Sequence, residues 1–125
     1  MSIYTDKMDD LFFNAYIECA LWSSLDDNDE PMDGLYSVDD IADETIKELR
    51  KGAITFFNEN IDLINNTPDF YNYEQAGHDL WLTQNGHGAG FWDRNIGDIG
   101  DKLTELAHIE GSIDLYIGDD GYIYK

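Results

Sequence analysis

Ile113-Asp114-Leu115-Tyr116-Ile117-Gly118-Asp119-Asp120-Gly121-Tyr122-Ile123-Tyr124 separates an all-helical chain from a mixed one. Ile113, Leu115 and Ile117 alternate with Asp114 and Tyr116, the period of a half-buried strand. Gly118-Asp119-Asp120-Gly121 supplies turn chemistry, and Tyr122-Ile123-Tyr124 returns along it. The reading is a β-hairpin. A lone hairpin is marginal in water, so it is expected to pack on helices or on a strand near Phe91.

Everything before this hairpin has helical spacing or turn composition. Leu103, Leu106 and Ala107 make the apolar face of a helix capped by Asp98 or Asp101 and ending near Gly111. Before it, Asn85-Gly86-His87-Gly88-Ala89-Gly90 interrupts regular structure, and Phe91-Trp92 reads as a short buried strand or turn. Thr67-Pro68 looks like a helix start, with Thr as N-cap and Pro in the first position. That helix would run from Pro68 to about Gln84, with Tyr73, Ala76, Leu80 and Thr83 on one side and Gly77 allowing close packing.

In the N-terminal part, Met8, Leu11, Phe12, Ala15, Cys19 and Trp22 form an apolar stripe on a helix from about Asp9 to Ser24, with Asn14 and Glu18 off it. Leu25 to Tyr36 reads as a solvated loop. Ser37 and Asp40 resemble a capping box opening a second helix. Ile46, Leu49, Ala53, Phe56 and Ile64 carry its stripe past Gly52 to about Asn65, continuous or kinked. The predicted class is therefore α+β, with three to four helices packed on a small C-terminal antiparallel β-hairpin or sheet. A length of 125 residues predicts one domain, 1–125. Within it lie an acidic helical part (1–66), a Gly/His/Trp segment (67–95), and a helix plus hairpin (96–125).

The charge is far from balanced. The chain has 27 Asp and Glu against 7 Lys and Arg, a formal net charge of -20. Twelve acidic residues lie between Met8 and Ile46 with no Lys or Arg among them. High net charge alone suggests disorder. With 42% hydrophobic and 14% aromatic residues, however, the chain reads as a folded core in an acidic skin. Its isoleucines and large aromatics suit ordinary salt better than a halophilic setting. One-signed surface charge destabilises a compact state by self-repulsion, so a strongly positive partner is the simplest reason for it. Positive surfaces on proteins usually bind nucleic acid. The acidic chain itself would be repelled by DNA and by anionic membranes, so no direct nucleic-acid or membrane binding is expected. The lone Cys19 excludes an internal disulfide. The N-terminus lacks a basic region followed by an apolar run, and the expected place is the host cytoplasm.

Gly77-His78-Asp79-Leu80-Trp81-Leu82-Thr83-Gln84-Asn85-Gly86-His87-Gly88-Ala89-Gly90-Phe91-Trp92-Asp93-Arg94 is the most distinctive stretch. It resembles a segment, G-H-D-x-x-L-T-x-N-G-H-G-A-G-F-W-D-R, of small acidic proteins carried by bacteriophages and plasmids. Leu115 to Tyr124 looks like that group's ending. The resemblance implies a mobile-element origin and an anti-defence role, anti-CRISPR or anti-restriction. It carries over no catalytic residues, and the acidic N-terminal third lies outside it.

Read chemically, the same stretch offers His78, Asp79, His87 and Asp93 as ligands of a divalent metal, centred on His78, His87 and Asp93, at a spacing that matches no standard motif. The structural reading is a glycine-set turn with Phe91 and Trp92 in the core and Arg94 paired to Asp93 or Asp98. No nucleophile stands beside a base at recognisable spacing, so the expectation leans away from an enzyme and includes no cofactor. Gly86 to Gly90 lacks the Lys-Ser/Thr ending of a phosphate loop. An EF-hand starting at Asp27 would put Pro31 at position five and Val38 at position twelve, which excludes it.

The leading expectation is a DNA mimic. Carboxylates at helical i, i+3 and i+4 spacing stand about 5–6 Å apart, of the order of phosphates along a strand. Asp39, Asp40, Asp43 and Glu44 form such a row, and Asp26, Asp27, Asp29, Glu30 and Asp33 extend it. The expected partner is a basic nucleic-acid-binding protein of host defence, a CRISPR effector or restriction enzyme. Two alternatives stand beside it: a small metal-dependent enzyme or ligand-binding protein centred on His78, His87 and Asp93, and a phage accessory protein whose acidity serves solubility.

Overall fold

Five α-helices and a two-stranded hairpin follow one another in the computed structural model, which describes residues 3–125, with side chains from Met8 onward. They are α1 (Ile3–Ser23), α2 (Asp43–Glu59), α3 (Ile61–Asn65), α4 (Tyr73–Gln84), α5 (Asp98–Glu110), β1 (Tyr116–Ile117) and β2 (Ile123–Tyr124). The class is α+β, mostly helical. The helix count exceeds the expected three to four because the second stripe is cut at Asn60. There the Asn60 amide bonds back to the Phe56 and Phe57 carbonyls, and its side-chain Nδ2 donates to the Phe56 carbonyl at 2.9 Å. This side chain competes with the backbone ladder and ends α2. Gly52, by contrast, lies within α2 and ends nothing.

The main interface is α1 against α4. It is set by Gly77, where a Cβ would stand 1.9 Å from the Phe12 carbonyl oxygen. Only a residue without a side chain lets the two backbones come this close. The expected one-sided stripe on α4 is too narrow. Ala76, Gly77, Asp79, Leu80, Trp81, Leu82, Thr83 and Gln84 are all buried, so α4 is the central helix and its polar residues need internal partners. Tyr16 Oη donates to Gln84 Oε1 at 2.8 Å, Trp81 Nε1 donates to Ser23 Oγ at 2.7 Å, and the Phe91 amide donates to Thr83 Oγ1 at 3.2 Å.

Three predicted helix starts move, that of α1 from about Asp9 back to Ile3. Asp40 does accept the Ser37 amide at 2.8 Å, but this closes a 3-10 turn, Val38–Asp40. Ile41 then runs extended and pairs in parallel with Ile123, and the Ala42 amide donates to the Ile123 carbonyl at 3.0 Å. α2 begins only at Asp43. Thr67 closes α3 instead of opening a helix: its Oγ1 donates to the Ile64 carbonyl at 2.7 Å. Pro68 sits in a turn, and α4 is capped by Asn72, whose Oδ1 accepts the Gln75 amide at 2.7 Å.

The hairpin forms where the alternation places it, in the register Tyr116↔Tyr124 and Ile117↔Ile123. It leans on the segment before α2 through Ile41, while Phe91 lies buried in a 3-10 turn, Phe91–Asp93. Trp92 in that turn is exposed, against the expectation that it fills the core. One contiguous cluster of buried side chains, from Phe12 on α1 to Ile123 on β2, draws on all five helices and the hairpin.

Candidate functional site: an acidic face and an aromatic groove

Asp26 leaves the expected row of surface carboxylates. It is 7% exposed, and its Oδ1 accepts the amides of Asn28 at 2.8 Å and Glu30 at 3.1 Å. Its own amide donates to the Glu30 carbonyl, and the Met32 amide donates to the Ser24 carbonyl. With Met32 fully buried beneath it, the loop is a tied turn. A carboxylate that satisfies its neighbours' amides is spent on local structure. Asp27, Asp29, Glu30, Asp33, Asp39, Asp43 and Glu44 are exposed, while Asp40 is half-buried. None of these eight enters an ion pair among the described residues.

The four carboxylates expected on one helical row are divided. Asp39 and Asp40 belong to the 3-10 turn, Asp43 and Glu44 to the first turn of α2, and the extended Ile41–Ala42 step separates them. The i, i+3 spacing therefore does not hold across this step. Asp43 and Glu44 still sit where carboxylates favour the positive end of a helix dipole.

The distinctive stretch from Gly77 to Arg94 folds back on itself through one ion pair. Asp79 is completely buried, and Arg94 grips it bidentately, with Nη2 to Oδ1 at 2.8 Å and Nε to Oδ1 and Oδ2 at 3.0 and 3.2 Å. Tyr71 Oη donates to Asp79 Oδ2 at 2.6 Å, and Gln75 Nε2 donates to Oδ1 at 3.0 Å. Neither Asp93 nor Asp98 is the partner of Arg94. The hydrogen bond to Asp79 holds the guanidinium even more firmly protonated than usual. Burial, then the Asp79 charge, push the Tyr71 phenol far up. Asn85 Oδ1 accepts the Ile113 amide at 2.7 Å. A Cβ on Gly90 would collide with Thr83 Oγ1 at 2.3 Å and with the Trp92 ring at 2.4 Å. Asp79, Thr83, Asn85, Gly90 and Arg94 are thus each accounted for by packing or hydrogen bonding.

The expected ligand set His78, His87 and Asp93 is not assembled. His78 faces α1, where its ring lies 6.1 Å from that of Trp22, whereas His87 lines a separate depression with Trp81 and Ser23. Asp93 is exposed on the turn after Gly90. Among the described residues, no three His, Cys, Asp or Glu side chains converge as metal ligands. Cys19 is buried, and burial pushes its thiol up to about 12, which leaves it protonated and inert.

Between α1 and the loop lies a groove of about 780 Å³. Trp22, Tyr36, Val38 and His78 line it, with Glu18 and Asp33 as its carboxylates. Trp22 is 56% exposed and Val38 47%. The helical stripe assigns Trp22 to the core, but its side chain stands at the surface, with the ring of His78 on α4 6.1 Å away. The signal in the sequence is its place at the helix end, directly before Ser23-Ser24 and the acidic loop. His78 carries an Nδ1 that is buried without a hydrogen-bond partner, and burial holds its pKa below the usual value.

No helix among the described residues is long and apolar enough to cross a membrane. Comparison with known proteins finds no matching family model, no matching curated protein and no matching solved structure.

Proposed function

We propose that this chain is an acidic, DNA-mimicking inhibitor from a mobile element that covers the basic nucleic-acid-binding surface of a host defence protein, a CRISPR effector or a restriction enzyme. One observation carries the reading. The segment from Met8 to Ile46 contains no Lys or Arg, and its loop and helix-start carboxylates are exposed without ion-pair partners among the described residues. Their charge is left for an external cation. The tied loop supports the reading further, because a rigid array of charges loses less entropy on docking than a mobile one. Binding of this kind is fast and weakens with salt, since each charge pair displaces counterions. The division of Asp39 and Asp40 from Asp43 and Glu44 makes the mimicry a matter of surface charge on two adjoining elements, with no regular helical row.

The test is capture of partners from a bacterial lysate carrying defence systems, washed in a salt series and with competing duplex DNA. A basic nuclease or CRISPR protein released by either competitor is the expected result. The triple variant Asp39→Lys, Asp43→Lys, Glu44→Lys spares Asp40, which holds the Ser37 amide, and should stay folded but lose the partner. A folded triple variant that retains it would remove this face from the proposal. Capture indifferent to salt and DNA would remove mimicry.

A further inference from the structure

We infer that the groove between α1 and the acidic loop receives an arginine side chain from a segment of the basic partner, with the guanidinium lying on Trp22 between the carboxylates of Glu18 and Asp33. This rests on the reading of the chain as an inhibitor of a basic protein, and adds to it a point of contact that charge mimicry does not need.

The groove combines two features that the carboxylate row does not. The Trp22 indole and the Val38 side chain are exposed here, with the half-buried Tyr36 ring, beside two acids. A purely electrostatic mimic gains nothing from an exposed tryptophan, and burying it against a partner removes apolar area from water. The chemistry that matches both features is a flat cation. Guanidinium is more weakly hydrated than ammonium, stacks on aromatic faces, and offers a fork of donors to flanking carboxylates.

The surroundings favour a visiting cation. Glu18 and Asp33 are in no ion pair among the described residues. Arg94 shares a neighbouring depression with Glu18 and His78, but its guanidinium is committed to Asp79. His78 braces Trp22, and burial favours its neutral form, so it adds no repelling charge. The exposed side of a tryptophan so braced presents a fixed platform, which limits the entropy lost on stacking.

The test is an NMR titration of the full chain with a synthetic peptide of alternating glycine and arginine, beside the same peptide with lysine or with uncharged citrulline in place of arginine. The expected result is saturable shifts of the Trp22 indole N–H, the Val38 methyl groups and the His78 ring, with arginine binding tighter than lysine and citrulline silent. Trp22→Ala and Glu18→Gln should each weaken the arginine peptide about threefold to thirtyfold, with Trp22→Ala erasing the preference over lysine. Both residues are exposed, so both variants should fold. Shifts at Asp39, Asp43 and Glu44 with a silent groove would overturn the groove and leave the inhibitor reading standing. No binding even at low salt would overturn both. Groove signals that move when the protein alone is diluted would assign the groove to a second copy of this chain and overturn the proposal.

Discussion

Arg94 shows how a single residue's role follows from what it faces. Its side chain is 28% exposed and that of its partner Asp79 is 0% exposed. Removing one half of such a pair leaves the other charge buried and uncompensated. Arg94→Ala should cost about 3–5 kcal/mol, read by denaturant unfolding. The double variant Asp79→Asn, Arg94→Ala should cost less than the sum of the two single changes, because they share one interaction. His78 gives the second residue-scale prediction. Burial holds its folded pKa below the 6.5 of the free group, with Asp79 and Glu18 opposing that shift and Arg94 assisting it. The unfolded chain therefore binds more protons than the folded one as pH falls below about 6.5, and this group's contribution to stability declines there. His78→Gln removes the contribution. Its Tm relative to the parent should rise as pH falls from about 7.5 to about 5.5, across the free-group value. A difference flat with pH would contradict the burial of this ring.

At the scale of the element, α4 is the piece on which the others are hung. Its sequence, from Tyr73 to Gln84, shows a narrow apolar stripe, yet it is buried nearly all round. Its polar residues reach partners on α1, on the turn after Gly90 and on Tyr71. None of these is visible as a neighbour in the chain. Gly77 is legible as a close-packing residue, because a glycine inside a helical pattern otherwise only costs stability. Gly77→Ala sets a methyl 1.9 Å from the Phe12 carbonyl oxygen, and backbone cannot give way cheaply. The expected loss is about 3 kcal/mol, the upper end of the overpacking range. Gly52→Ala, on the open face of α2 with nothing within 4 Å, should stabilise slightly. The paired measurement separates packing from helix propensity. The misplaced starts of α2 and α4 have a common cause. Ser37 and Thr67 carry good capping chemistry, but a turn and a helix end use the same chemistry, and the pairing of Ile41 with Ile123 decides the first case.

At the scale of the whole molecule, the net charge of -20 governs how the surface responds to its solvent. Only three ion pairs offset it among the described residues: Arg50 with Asp10, Arg94 with Asp79, and Lys125 with Glu48. The first and last of these lie at the solvent-exposed surface, where pairs are worth little. Self-repulsion should therefore be relieved by screening. Raising sodium chloride from low to physiological ionic strength should lift Tm by roughly 3–6 °C. The same salt should weaken partner capture. Stability and binding moving in opposite directions is the signature of a charge kept for a partner, and a Tm that falls with salt would contradict the repulsion argument.

Local chemistry determined the elements that depend on neighbours in the chain: the C-terminal hairpin, the end of α5, the glycine turn and the acidic skin. Each rests on a period, a turn residue or a count of charges. Tertiary structure alone decided the groove, the partner of Arg94, the loss of Asp26 from the surface and the separation of His78, His87 and Asp93. These depend on which distant side chains the packing of α1 on α4 brings face to face. A carboxylate such as Asp26 reads in sequence the same whether its charge meets solvent or its neighbours' amides. Only the fold of the loop around it chooses between the two.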